Sequence, residues 1–104
     1  MDTKTLIEEV RNSLKESGVD LKGIYLFGSR SKDKQHSDSD YDLAIILKSA
    51  VSQSIKDSIR SVIYDIMLNY DVVIDSHIYS EKDIVNPQTP FREIIKNEGI
   101  FYAG

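Results

Sequence analysis

The 104-residue sequence contains no cysteine, no tryptophan and only two prolines. Without cysteine, these residues offer no thiol nucleophile, no disulfide and no Cys-type zinc site. The longest apolar stretches, such as residues 43–47, fall far short of the roughly 20 residues that cross a bilayer. The first residues also lack the apolar run of a signal peptide. We therefore expect a cytoplasmic protein with no membrane partner, and the length suits one domain, residues 1–104.

Positive charge is also scarce. The 13 Lys and Arg residues are outnumbered by 17 Asp and Glu, which gives a formal net charge of -4. Proteins that bind nucleic acid generally use a basic face, and the six tyrosines show no interleaved basic pattern that would favour base stacking. We therefore expect no nucleic-acid partner, and a phosphate ligand would have to be neutralised by something other than a lysine-rich surface.

Hydrophobic periodicity predicts helices and strands in the order α-β-β-α-β-α. The predicted strands are 23–27, 41–47 and 72–79, and the predicted helices are one from Thr3 or Thr5 to Gly18, one over 49–70, and one from Pro90 to Gly99. Ser80, with Asp83 three residues later, predicts a capped turn. The order favours a two-layer α/β or α+β fold in which helices pack on a small sheet.

The most informative segment is the polar stretch between the first two strands. Asp40 and Asp42 are two positions apart at the start of a strand, so both side chains face the same side. Neighbouring like charges repel unless a cation lies between them, and carboxylate oxygens are ligands that Mg²⁺ prefers. Asp75 interrupts a later apolar strand, where a carboxylate is costly unless it is paired or metal-bound. A solvated loop is the simpler interpretation of such a stretch, and these three carboxylates argue against it.

The start of the same stretch is suited to a phosphate. Gly28 directly follows a buried strand, so the backbone can come close to a ligand. If Ser29 begins a helical turn, its amide and hydroxyl form an anion site. The guanidinium of Arg30 also suits a phosphate, although a surface role is equally open. No G-x-x-x-x-G-K-[ST] loop is present, and the pattern favours metal-assisted phosphoryl or nucleotidyl transfer.

Gly28-Ser29, ten residues and then Asp40-x-Asp42 resembles the G-S-x10-D-x-D signature of the minimal nucleotidyltransferases of the DNA polymerase β superfamily. The element order and the segment 89–100 are similar to this family as well, although the spacer 30–39 lacks the glycine that many relatives carry. The resemblance implies a polymerase-β-like α+β core, in which a small mixed sheet has helices packed on one face.

The resemblance also implies roles for individual residues. Gly28 and Ser29 would contact the triphosphate, and Asp40 and Asp42 would bind Mg²⁺. The third carboxylate, a metal ligand and general base, would be Asp75 or, alternatively, Asp71 at the beginning of the same strand. His77 shares a strand face with Asp75 and could line the pocket, although a surface histidine is the simpler interpretation.

In function, the resemblance implies a protein adenylyltransferase that uses ATP and moves AMP onto an acceptor hydroxyl. The acceptor would be a tyrosine of a helical HEPN ribonuclease toxin, so that the protein acts as the antitoxin of a type VII-like toxin–antitoxin pair within a hetero-oligomer. The alternative is a non-catalytic antitoxin that neutralises its partner by contact. The mutually repelling carboxylates favour activity, because a pure binding module has no need of them.

Overall fold

The structure, a computed structural model, describes residues 2–27, 40–86 and 88–104. The helices are α1 (Thr3–Glu16), α2 (Gln53–Tyr70), α3 (Glu81–Val85) and α4 (Pro90–Glu98), and the strands are β1 (Leu21–Phe27), β2 (Asp40–Leu47), β3 (Val73–Ser80) and β4 (Ile100–Ala103). The strands form a mixed sheet in the order β3-β2-β1-β4. Strand β1 is antiparallel to β2 and β4, whereas β2 is parallel to β3. The predicted α+β class with a small mixed sheet is confirmed.

Side-chain caps fix where the helices begin. Helix α1 begins at Thr3, one of the two predicted starts, and Asp2 caps it, since its Oδ1 accepts a hydrogen bond of 2.8 Å from the Thr5 amide. Helix α2 begins at Gln53 instead of residue 49, because the Ser52 hydroxyl accepts a 3.1 Å bond from the Ile55 amide. In both helices the cap satisfies a backbone amide that has no partner within the first turn.

One face of the sheet carries the larger core. Alternate residues of β2, namely Leu43, Ile45 and Leu47, are buried against α1 and α2. The apolar stripes of the two helices supply the other side of this core: Leu6, Ile7, Val10 and Leu14 from α1, and Ile59, Ile63 and Ile66 from α2. Within the described ranges, no helix is both long and apolar enough to span a bilayer.

The opposite face carries a smaller core. Ala44 and Ile46 of β2 and Phe27 of β1 pack there with Ile84 of α3 and Ile95 of α4. The expectation of helices on one face therefore holds for the two long helices, while the short α3 and α4 lie against the other face. The capped turn predicted at Ser80 is the start of α3, and the Asp83 carboxylate accepts from both the Ser80 amide and hydroxyl at 3.3 and 3.1 Å.

Strand β4 was not expected from the sequence. It follows the predicted end of α4 at Gly99 and pairs with the Gly23–Leu26 part of β1. A Cβ atom on Gly23 would collide with the Phe101 ring and would lie 2.7 Å from the Tyr102 carbonyl oxygen. Strand β4 therefore depends on a close backbone approach to Gly23, nearly eighty positions earlier in the chain. The local sequence of its four residues gives no sign of this contact.

Candidate functional site

Two of the predicted carboxylates lie side by side on adjacent parallel strands. Asp42 of β2 and Asp75 of β3 are register partners, and Asp40, at the start of β2, is the register partner of Val73. Register partners, and residues two apart on one strand, project from the same face of a sheet. Asp42 and Asp75 therefore project from one sheet face, which Ala44 and Ile46 identify as the face of α3 and α4.

The environment of the pair is asymmetric. Phe27 of β1 is the register partner of Asp42 on its other side, so Asp42 lies in a row between an aromatic residue and a second carboxylate. Asp42 is half-buried, whereas the Asp75 side chain is 67% exposed. Neighbouring carboxylates repel each other. A cation bound between them would relieve this repulsion.

An imidazole accompanies the exposed carboxylate. The Nε2 atom of His77 lies 3.5 Å from Oδ2 of Asp75, and the His77 side chain is 31% exposed. Its ring packs 5.0 Å from the Phe91 ring and 5.7 Å from the Phe27 ring, centroid to centroid. The two phenylalanine rings meet edge to face at 5.5 Å. His77 is thus part of an aromatic cluster (Phe27, His77 and Phe91) and remains partly exposed at the surface, beside Asp75.

Phe91 is the residue of this cluster that sequence reasoning missed. It occupies the first turn of α4, where Pro90 precedes it and the Thr89 hydroxyl caps the helix by accepting from the Arg92 amide at 3.2 Å. The Arg92 guanidinium lies 3.6 Å from an Asp83 carboxylate oxygen and 5.2 Å from the centre of the Tyr79 ring. These contacts fasten the start of α4 to α3 and β3, and so hold Phe91 over His77.

The structure separates the two candidates for the third carboxylate. Asp71 has a φ of 52° and a left-handed conformation, and it caps the end of α2 two residues before β3 begins. Asp75 lies inside β3, in register with Asp42. Among the described residues, then, Asp75 is the one aligned with the β2 aspartates. Gly28, Ser29 and Arg30 lie outside the described residues, so their phosphate contacts stay a prediction.

The donor set is appropriate for a hard divalent cation. Asp42 and Asp75 offer carboxylate oxygens from two neighbouring strands, and the backbone of Asp40 pairs with that of Val73 two positions earlier in the same ladder. Mg²⁺ usually binds through one or two carboxylates and keeps its other positions for water and substrate phosphates. The residues present therefore fit such an ion, and the exposure of Asp75 leaves the position open to a ligand from solvent.

Comparisons with known structures agree with this fold. At 19% identity, the chain resembles a toxin-antitoxin complex crystallised with AMP-PNP, covering 93% of this chain and 73% of the other with a TM-score of 0.68. A mutant of the toxin-antitoxin MntA-HpeT gives 17% identity, 100% and 75% coverage and a TM-score of 0.66. A putative nucleotidyltransferase from Sulfolobus solfataricus is 17% identical, with 95% of this chain and 74% of the other covered and a TM-score of 0.56. At these identities the likeness shows the fold alone.

The sequence itself decides the family. No curated protein matches the chain. Residues 8–101, however, match the model of the family described as Polymerase beta, Nucleotidyltransferase. This match spans most of the chain, including β1, β2 and β3 with Asp40, Asp42 and Asp75. The chain therefore belongs to the polymerase beta nucleotidyltransferase family.

Proposed function

We propose that the protein is a Mg²⁺-dependent nucleotidyltransferase that moves AMP from ATP onto the hydroxyl group of an acceptor. The observation that carries the proposal is the register pairing of Asp42 with Asp75 on neighbouring parallel strands. Two adjacent carboxylates repel each other, and a divalent cation held by them would supply the positive charge that a triphosphate requires. Family membership supports the same chemistry.

Asp40, Asp42 and Asp75 would hold the metal. When bound, Mg²⁺ polarises the phosphate oxygens and offsets the charge that develops during transfer. Gly28, Ser29 and the guanidinium of Arg30 are the groups that we expect to bind the triphosphate. Neither set depends on a basic surface, which agrees with the net charge of -4.

The transfer step follows from these roles. The acceptor oxygen attacks the α-phosphorus of ATP, a new oxygen–phosphorus bond forms, and the bond from the α-phosphorus to the bridging oxygen of the β-phosphate breaks. Pyrophosphate leaves with the electron pair of that bond. The Asp75 carboxylate accepts the hydroxyl proton, for which its exposed position next to Asp42 is suitable.

Two of the similar structures support the nucleotide and the aspartates. One is a toxin-antitoxin complex with AMP-PNP, an analogue of ATP. In the MntA-HpeT mutant, two aspartates two positions apart are replaced by glutamate, and Asp40 and Asp42 have the same spacing here. That spacing is what brings two carboxylates onto one face of a strand.

We further propose that the acceptor belongs to a partner protein, a HEPN ribonuclease toxin that is modified on a tyrosine, and that this protein is its antitoxin. Toxin-antitoxin complexes among the similar structures support a partner of this kind. In such a complex the toxin would present its hydroxyl group to the face of the sheet where the Asp75 side chain is exposed.

The test is label transfer to the toxin encoded beside this protein. Incubation with Mg²⁺ and ATP labelled at the α-phosphate should label the toxin, whereas ATP labelled at the γ-phosphate should not. Asp42→Asn is the matched inactive control, and replacing the acceptor tyrosine should remove the label. A toxin that is bound and neutralised without acquiring label would instead support the non-catalytic antitoxin.

A further inference from the structure

We propose that His77 is a positioning residue for this site, whose Nε2 atom holds the Asp75 carboxylate in one orientation beside Asp42. The inference rests on the proposed transferase function, because only a carboxylate that binds metal or accepts a proton needs a fixed direction. It assigns His77 no contact with the nucleotide or with the reacting atoms.

Asp75 needs such a partner because its own surroundings leave it free to rotate. Its side chain is 67% exposed, and an exposed aspartate samples several staggered rotamers. Within the described part of the chain, the polar side chain that reaches it is His77, whose Nε2 atom lies 3.5 Å from Oδ2, slightly farther than in an ordinary hydrogen bond. The other oxygen, Oδ1, remains available to a cation shared with Asp42.

His77 can act in this way because its ring is itself held. The imidazole packs against Phe91 at 5.0 Å and against Phe27 at 5.7 Å, and these two rings touch each other. The three residues come from α4, β1 and β3, so the ring is fixed by three separate elements. A side chain whose rotamer is fixed by packing can hold the group that it contacts in one orientation.

Histidine combines two useful properties at this position. Its ring packs in the aromatic cluster as a phenylalanine would, and its edge carries a nitrogen that can donate a hydrogen bond to a carboxylate. The two properties can be separated by substitution. His77→Phe keeps a ring between Phe27 and Phe91 and removes the donor, whereas His77→Gln keeps a donor near the place of Nε2 and removes the ring.

The experiment compares wild type, His77→Phe and His77→Gln by two readouts. The first, in metal-free protein at one fixed pH, is the carboxyl ¹³C chemical shift of Asp75. The second is the Mg²⁺ affinity in the presence of ATP, with the AMP-transfer rate measured alongside. Loss of a residue that orients a metal ligand typically costs about 10- to 100-fold in metal affinity or activity, so we expect a loss of this size in His77→Phe. His77→Gln should stay much closer to wild type and keep the Asp75 shift.

A second variant guards against misfolding of the first. Phe91→Leu leaves His77 in place and removes one of the rings that hold it, so it should weaken Mg²⁺ binding in the same direction and by a smaller factor. The inference is overturned if His77→Phe keeps the wild-type Asp75 shift and Mg²⁺ affinity, or if His77→Gln loses as much as His77→Phe. If the proposed function itself is wrong, the wild-type protein will show neither Mg²⁺-dependent ATP binding nor AMP transfer. In that case the carboxyl ¹³C chemical shift of Asp75 still tests its contact with His77.

Discussion

Asp42 and Asp75 are register partners on two parallel strands, so two carboxylates face the same side of the sheet one strand apart. The two carboxylates repel each other in the metal-free protein, and a bound cation would offset this repulsion. The site thus carries a conflict between stability and function that substitution can expose.

Removal of one of the two charges should make the metal-free protein more stable. We expect Asp75→Asn to raise the free energy of unfolding of the metal-free protein by up to about 1 kcal/mol, the range of cross-strand pair energies. The same variant should lose the added stability that Mg²⁺ and ATP give to wild type. Thermal melts with and without Mg²⁺ and ATP measure both effects. A lower melting temperature without metal, together with unchanged stabilisation by Mg²⁺ and ATP, would contradict this prediction.

Asp71 and Asp75 form a matched pair for testing the third carboxylate. Asp71 adopts a left-handed conformation at the end of α2, a conformation that asparagine also tolerates. Asp71→Asn should therefore leave the AMP-transfer rate close to that of wild type, because asparagine keeps the left-handed conformation that ends α2. Asp75→Asn should reduce the rate by the factor of about 10² to 10⁴ that acid–base catalysis contributes. Initial rates with α-labelled ATP distinguish them, and equal losses in both variants would argue against Asp75.

The attachment of β4 should depend on the absence of a side chain at position 23. In Gly23→Ala, the new methyl group would meet the Phe101 ring and the Tyr102 carbonyl oxygen. We expect β4 to be displaced and the unfolding free energy to fall by about 1–3 kcal/mol, as in other overpacked sites. Hydrogen exchange of the β4 amides would report the displacement. Phe101→Ala in the same background relieves only the ring contact, so a full rescue would show that the Tyr102 backbone contact is unimportant.

The start of α1 should make the protein sensitive to acid. The Thr5 amide donates a hydrogen bond to Asp2, which lowers the pKa of that carboxyl below its ordinary value of 3.8. Because the folded state prefers the charged form, this contribution is present at neutral pH and is lost as the pH falls through the folded-state pKa. The melting temperature of Asp2→Ala should thus lie below that of wild type at pH 7, and the difference should shrink near pH 3. A difference that does not change with pH would contradict this role for Asp2.

Local pattern was enough for most of the sheet and for the carboxylates. The β1, β2 and β3 strands are apolar runs that alternate or are buried, and D-x-D spacing on a strand defines a shared face without further information. The alignment of Asp75 with Asp42 could not be read locally, because it depends on the register between two strands that helix α2 connects. A shift of one residue would have turned Asp75 to the other face.

Features formed by distant contacts were the ones that the sequence did not reveal. The aromatic cluster joins residues 27, 77 and 91 from three elements, and strand β4 depends on the space above Gly23. The sequence left the start of α1 open between Thr3 and Thr5. The structure begins the helix at Thr3, because the Asp2 carboxylate reaches the Thr5 amide and caps the first turn.

If the β2 and β3 aspartates hold the metal, ATP binding should require both the metal and these carboxylates. Calorimetric titration with ATP tests this most directly, because it needs no acceptor protein. Wild type should bind ATP in the presence of Mg²⁺ and lose that binding in EDTA. Loss of a residue that only orients a metal ligand lowers metal affinity by about 10-fold or more. Asp42→Asn removes a ligand itself, so it should weaken ATP binding by more than about 10-fold. ATP binding that is equal in EDTA, or undiminished in Asp42→Asn, would contradict the account.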